Sequence, residues 1–122
     1  MDSKYPIGKW ICPSVISKNL LEEWIGEIEA LPTQLYGILD DCQLKEENTY
    51  RNDGWNVRQI IHHIADSHIN AYIRHKLAYT TDNPVINPYP EEKWAMLQDV
   101  ISVELKVSVQ LIEALHRRWA EF

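Results

Sequence analysis

The chain has 122 residues, enough for one domain whose core buries most of what the unfolded chain exposes, with no material for a second. Twelve Lys and Arg against eighteen Asp and Glu give a formal charge of -6, which opposes nucleic acid and anionic lipid as partners. The opening MDSKYPIGKW lacks the blocks of a signal peptide, and no apolar run approaches the ~20 residues that span a bilayer, so the expectation is a cytoplasmic protein without a membrane partner.

Residues 1–16 hold Pro6, Gly8 and Pro13 without a sustained period, and predict an extended N-terminal arm. Cys12 and Cys42 stand in unrelated contexts with no CxxC spacing, so both are expected to be reduced and inert. A first long helix follows. Ser17 is placed to cap it, and Leu20, Leu21, Trp24, Ile28, Leu31, Leu35 and Ile38 or Leu39 recur at helical spacing. Pro32 lacks the amide that would bond to the carbonyl of Ile28, and predicts a kink or short break near Leu31. Asp40 and Asp41 disfavour continuation, because negative charge opposes the helix dipole at a C-terminus.

The polar stretch LKEENTYRNDG over 44–54 connects to a second long helix. Asn56 stands three residues before Gln59, the amide form of a capping box, so this helix should begin at Val57. It can run to about Tyr79, before TTDNP and Pro84. A loop with Pro84, Pro88 and Pro90 leads to EEKWAML, read as one or two helical turns packing Trp94 and Leu97. From about Ser102 a third long helix places Leu105, Val109, Ile112, Leu115 or His116, and Trp119 in register, with the pattern still running at Phe122.

The second helix gathers His62, His63, His68 and His75 with Asp66, which raises metal chemistry as the first functional question. Two ligands from one helix need three- or four-residue spacing. His63 and His68 diverge by about 140° around the axis, and His68 and His75 lie about 10 Å apart along it, so neither pair shares an ion. Only His62 with Asp66 and His63 with Asp66 are well spaced. On the helical wheel His68 and His75 sit in the apolar arc and are expected to face the core. His63 falls at its edge, in a stripe with Ser67, Asn70 and Arg74. Spacing alone leaves His63 open between a structural residue and a ligand.

The segment YRNDGWNVRQIIHHIADSHINAYIRHKLAYTTDNPVINPYPEEKW, with the YPIG opening and ALHRRW in the third helix, resembles the YfiT-like branch of the DinB superfamily, a bacillithiol transferase-like, metal-dependent hydrolase group. The resemblance covers most of the chain. It implies an all-α bundle of four long helices, a homodimer, and a divalent ion, nickel or zinc, held by three histidines. One of these is eight places after the helix-opening Trp55, which is His63; the others form an HxxxH pair on a fourth long helix. This sequence carries three of the four long helices and no such pair, so 1–122 is expected to be an incomplete domain, inactive alone unless another chain supplies ligands. The resembling proteins do not use the histidine at the position of His116 as a ligand. Their paired glycine is here Asp53 with Gly54, and the position of His75 is usually Phe.

The implied chemistry is metal activation of a low-molecular-weight thiol or a water for attack on a small electrophilic substrate, by S-transfer or hydrolysis. Arg58, Asn70, Tyr72 and Arg74 are candidates for gripping an acidic, sugar-like thiol cosubstrate, because guanidinium forks and amides match carboxylates and hydroxyls. Asp66 is open between orienting an imidazole from behind and pairing with Arg58 or His62 on the surface. The alternative class is a non-catalytic helical module that keeps the packing and dimer surface but binds no ion.

Overall fold

A computed structural model describes residues 2–122. Five helices occur in chain order: α1 (Lys18–Leu39), α2 (Val57–Thr80), α3 (Glu91–Trp94), α4 (Gln98–Ser102) and α5 (Leu105–Glu121). Three are long, and residues 2–16 contain turns but no helix.

The caps set the long helices where local chemistry places them. Ser17 accepts from the amide of Leu20 at the start of α1, and Asn56 and Gln59 form a reciprocal capping box at the start of α2. The connector adds to this. Its Asn48 and Glu46 carbonyls accept from the amides of Val57 and Arg58 at 2.9 and 3.0 Å, so the first three amides of α2 all find acceptors before the helix ladder begins.

α5 packs against both α1 and α2. Partners along the helices fix the directions: His62 meets Ser108, His68 meets His116 and Tyr79 meets Phe122, so α2 and α5 run parallel. Tyr36 meets Glu113 while Ile28 meets His116, so α1 runs against α5. Parallel neighbours need a connection that returns the full helix length, about 36 Å for α2 at ~1.5 Å per residue. Residues 81–104, carrying α3 and α4, make that crossover. The core lies where the three long helices meet, in Leu35, Ile61, Ala65, Leu105, Val109 and Ile112. Ile112 has no exposed surface, and Ile112→Ala should cost about 2–5 kcal/mol of unfolding free energy, read from the midpoint of urea denaturation.

Four expectations are corrected. α1 runs unbroken through Pro32, which is itself buried against the bundle. Only the bond to Ile28 is lost to the proline, and an imidazole described below replaces it. The third long helix starts at Leu105, because Val103 and Glu104 are extended and part it from α4. Leu97 is exposed and Val100, one helical turn on, is buried in its place. His75 is exposed rather than core, although its ring makes a T-shaped contact with Trp119 at 5.3 Å.

Candidate functional site

The five histidines of the chain separate by what their ring nitrogens touch. His62 is 5% exposed and both nitrogens are engaged: Nε2 lies 3.1 Å from the Val103 carbonyl and Nδ1 lies 2.7 Å from Ser108 Oγ. A carbonyl can only accept, so Nε2 carries the hydrogen and Nδ1 accepts from the serine hydroxyl. Burial pushes the His62 pKa down, assisted by the positive charge of Arg58 and opposed by the Val103 carbonyl. The ring is neutral and structural.

His116 is 1% exposed, and its Nδ1 donates to the Ile28 carbonyl at 2.6 Å. That carbonyl is the one Pro32 leaves without a helical donor. Nε2 of His116 is therefore an acceptor, and His68 Nδ1 donates to it at 2.6 Å with the ring planes within 10° of each other. Burial, and the neighbouring His116, push His68 down to about 4, and burial pushes His116 down as well. His68 and His116 line a cavity of about 670 Å³ together with Trp24, Ile28 and Leu31 of α1. His75 donates from Nδ1 to the Ala71 carbonyl, one turn back on its own helix.

His63 differs from the other four. Among the described residues neither of its nitrogens has a hydrogen-bond partner. The ring is half-buried, with its edge toward Trp55 at 4.7 Å between centroids, and Trp55 also lines a depression of about 550 Å³ with Asp53, Glu92, Lys93 and Met96. Asp53 holds φ at 58°, the left-handed region that favours glycine, so a strained backbone sits at this rim. Asp66 lies one turn along α2. Burial raises its pKa and Asp99 adds to the rise, while His63 and His62 oppose it. Its carboxylate pairs with neither Arg58 nor His62 through a hydrogen bond or ion pair among the described residues.

The sequence-derived substrate contacts divide between two sides of α2. Arg58 is committed within the fold: Nε donates to the Val100 carbonyl at 2.7 Å, Nη2 to the Val103 carbonyl, and Nη1 pairs with Glu46. Tyr72 lies between Lys76 and Arg118, at 5.2 and 5.7 Å from its ring, which places it on the α5 side. Asn70 and Arg74 share the side of His63, about 10 and 16 Å along the axis at ~1.5 Å per residue. Asn70 donates to the Asp66 carbonyl. Arg74 donates to the Asn87 carbonyl at 3.2 Å, while its Nε is buried without a partner among the described residues.

A metal ion is the cofactor this arrangement has to be tested against. Catalytic zinc-type sites use three protein ligands. Among the described residues no group of three or more His, Cys, Asp or Glu is placed to hold an ion. The donor set of this chain is one free imidazole with a carboxylate one turn away, so it does not by itself fit a complete centre. What sequence spacing did not reveal is the role of the neighbouring histidine: His62 and His63 are equal as letters, and only the positions of Val103 and Ser108 distinguish them.

No family model matches the chain. Curated relatives do. A protein of Halalkalibacterium halodurans named "Putative metal-dependent hydrolase" is 49% identical over 122 residues, covering 98% of this chain and 70% of that one. Another of the same description from Oceanobacillus iheyensis is 51% identical over 120 residues, covering 98% of this chain and 69% of its own length. Among solved structures, that of YfiT from Bacillus subtilis, described as a probable metal-dependent hydrolase with an unusual four-helix bundle topology, aligns with a TM-score of 0.87 at 40% identity. The alignment covers 99% of this chain and 70% of that one.

Proposed function

This chain belongs to the YfiT-like family, and from that premise we propose that it carries the helix α2 part of a metal-dependent hydrolase or thiol S-transferase site, with His63 as its metal ligand. The observation that supports this reading is the bonding pattern of the imidazoles: four have a ring nitrogen engaged within the fold, and His63 has none. A half-buried imidazole with both nitrogens free and an aromatic wall beside it is available to a ligand. The ion is nickel or zinc, as the family resemblance implies, and imidazole is a suitable ligand for either. Two further ligands come from residues outside this chain, in keeping with the 70% of YfiT that it spans.

Within that site Asp66, one turn from His63 and not bonded to it here, is the carboxylate placed to accept the ring N–H once the other nitrogen holds an ion, and Asn70 and Arg74 hold the polar end of a small substrate or low-molecular-weight thiol. The free Nε of Arg74 leaves donor capacity for that role, whereas the donors of Arg58 that face the crossover are already used. Because one imidazole holds an ion only weakly, the reading is tested by titrating the purified chain with Ni²⁺ and following imidazole broadening by NMR. His63→Ala should raise the Ni²⁺ concentration needed for binding at least tenfold and leave the helical signal unchanged, because no hydrogen bond of the fold passes through that ring. Ni²⁺ binding indifferent to the substitution would overturn it.

A second reading is supported by large apolar side chains left exposed on the long helices, among them Leu21, Ile73, Val107 and Leu111. It is a non-catalytic helical module that dimerises through such a surface. A folded dimer that binds no Ni²⁺ in the same titration would favour it.

A further inference from the structure

We infer that the cavity lined by α1, His68 and His116 is a binding site for a small organic ammonium ion, a primary amine carried on an apolar, ring-sized body. The site is independent of the metal assignment, since His63 does not line it. Its volume of about 670 Å³ falls within the ~300–1,000 Å³ of small-molecule pockets. Trp24, Ile28 and Leu31 supply an apolar wall. The charged side chains of the lining are Glu23 and Glu27, with no Lys or Arg beside them. Both carboxylates are exposed, and neither has an ion-pair partner among the described residues. Their field draws cations and repels anions.

A chain of hydrogen bonds sets the remaining chemistry. The Ile28 carbonyl, open because Pro32 has no amide, accepts from Nδ1 of His116, so Nε2 of that ring accepts from Nδ1 of His68. The ring planes lie within 10° of each other, as suits a bond in the plane of both imidazoles. With its hydrogen on Nδ1, a neutral His68 presents Nε2 as a lone pair. That nitrogen has no partner among the described residues. Burial holds the pKa of His68 down to about 4, so the lone pair stays unprotonated at neutral pH. Pro32 thus sets the tautomer of an imidazole on another helix. Glu23, Glu27 and His68 can only accept, which matches an ammonium group with its three N–H donors and no acceptor. A hydroxyl offers one hydrogen to the same three groups. The indole of Trp24 adds a face that attracts a cation, and the apolar wall takes the body of the ligand.

The test is a titration of the 122-residue chain with phenethylamine, followed by imidazole nitrogen NMR. The Nε2 resonance of His68 should move saturably toward the hydrogen-bonded position. Phenylpropionate, with the same ring and the opposite charge, should leave it in place. Phenethyl alcohol should need about fivefold more for the same shift, since it lacks the charge. Glu23→Gln combined with Glu27→Gln alters two exposed side chains and keeps the fold. It should raise the phenethylamine concentration at half saturation about fivefold and that of the alcohol by less than about twofold. An equal response to the three probes, or phenethylamine binding indifferent to the double substitution, overturns the ammonium class. No shift at His68 with phenethylamine overturns the site. So does a His68 shift that follows protein concentration in place of added amine, which would put a second copy of the chain in the cavity.

Discussion

His116→Ala should lower the unfolding free energy by on the order of 4 kcal/mol, from two additive sources. The first is the void left by a ring that is 1% exposed. The second is the loss of the protein partner of two groups, the Ile28 carbonyl and the Nδ1–H of His68. The carbonyl makes the prediction specific, since it is open only because Pro32 has no amide. Pro32→Ala in the His116→Ala background should therefore recover about 1 kcal/mol more than Pro32→Ala does in the parent, as the new amide takes over the carbonyl. A double-mutant cycle in urea measures this coupling. Strict additivity of the two substitutions would show that the imidazole and the proline are not linked through that carbonyl.

Acid should destabilise the fold well above the range in which exposed carboxylates titrate. His68, His116 and His62 all have folded-state pKa values below the ordinary histidine value, with His68 at about 4. A group whose folded pKa is depressed contributes stability above its unfolded pKa and loses it as pH falls toward the folded one, because the unfolded chain binds the proton first. The window is therefore about pH 6.5 down to about 4. His68 should carry the largest share of the loss, with His116 and His62 adding in the same direction. Asp66 runs the other way, since its raised pKa favours the folded state in acid, but it is one group against three. Urea midpoints at pH 7 and pH 4.5 should show the loss, and His68→Gln should flatten the profile. A pH-independent midpoint over that window would contradict the burial of these rings.

The functional proposal and the stability predictions concern different histidines, which makes them separable. His116 and His68 occupy the bundle interior and answer to pH and cavity formation, whereas His63 should be nearly silent in stability and decisive for metal. Their independence follows from position. His63 and His68 diverge by about 140° around α2, so a change at one leaves the packing of the other in place.

Much of the fold follows from local chemistry that letters carry. Ser17, Asn56 and Gln59 cap helices because their side chains satisfy orphan amides, which is decided within four residues. The apolar period over 105–119 names the buried face of α5, and Leu105, Val109, Ile112 and His116 occupy it. Pro32 likewise announces an open carbonyl at Ile28 from sequence alone. What fills that carbonyl is a residue 88 positions away, and that is a matter of how α1 and α5 cross. For the same reason the predicted break did not occur.

The candidate site shows the same division. Helical spacing is enough to place an HH pair one turn before Asp66, with one ring in the polar stripe of Asn70 and Arg74. The family resemblance is likewise legible in the letters, from the YPIG opening through the second helix to ALHRRW. That His62 is spent on Val103 and Ser108, that Arg58 grips the crossover and that His75 is exposed follow from the packing of distant segments. Helical periodicity reports the direction of a side chain, while hydrogen-bond partners depend on which backbone the chain folds against it, and that is set by long-range packing.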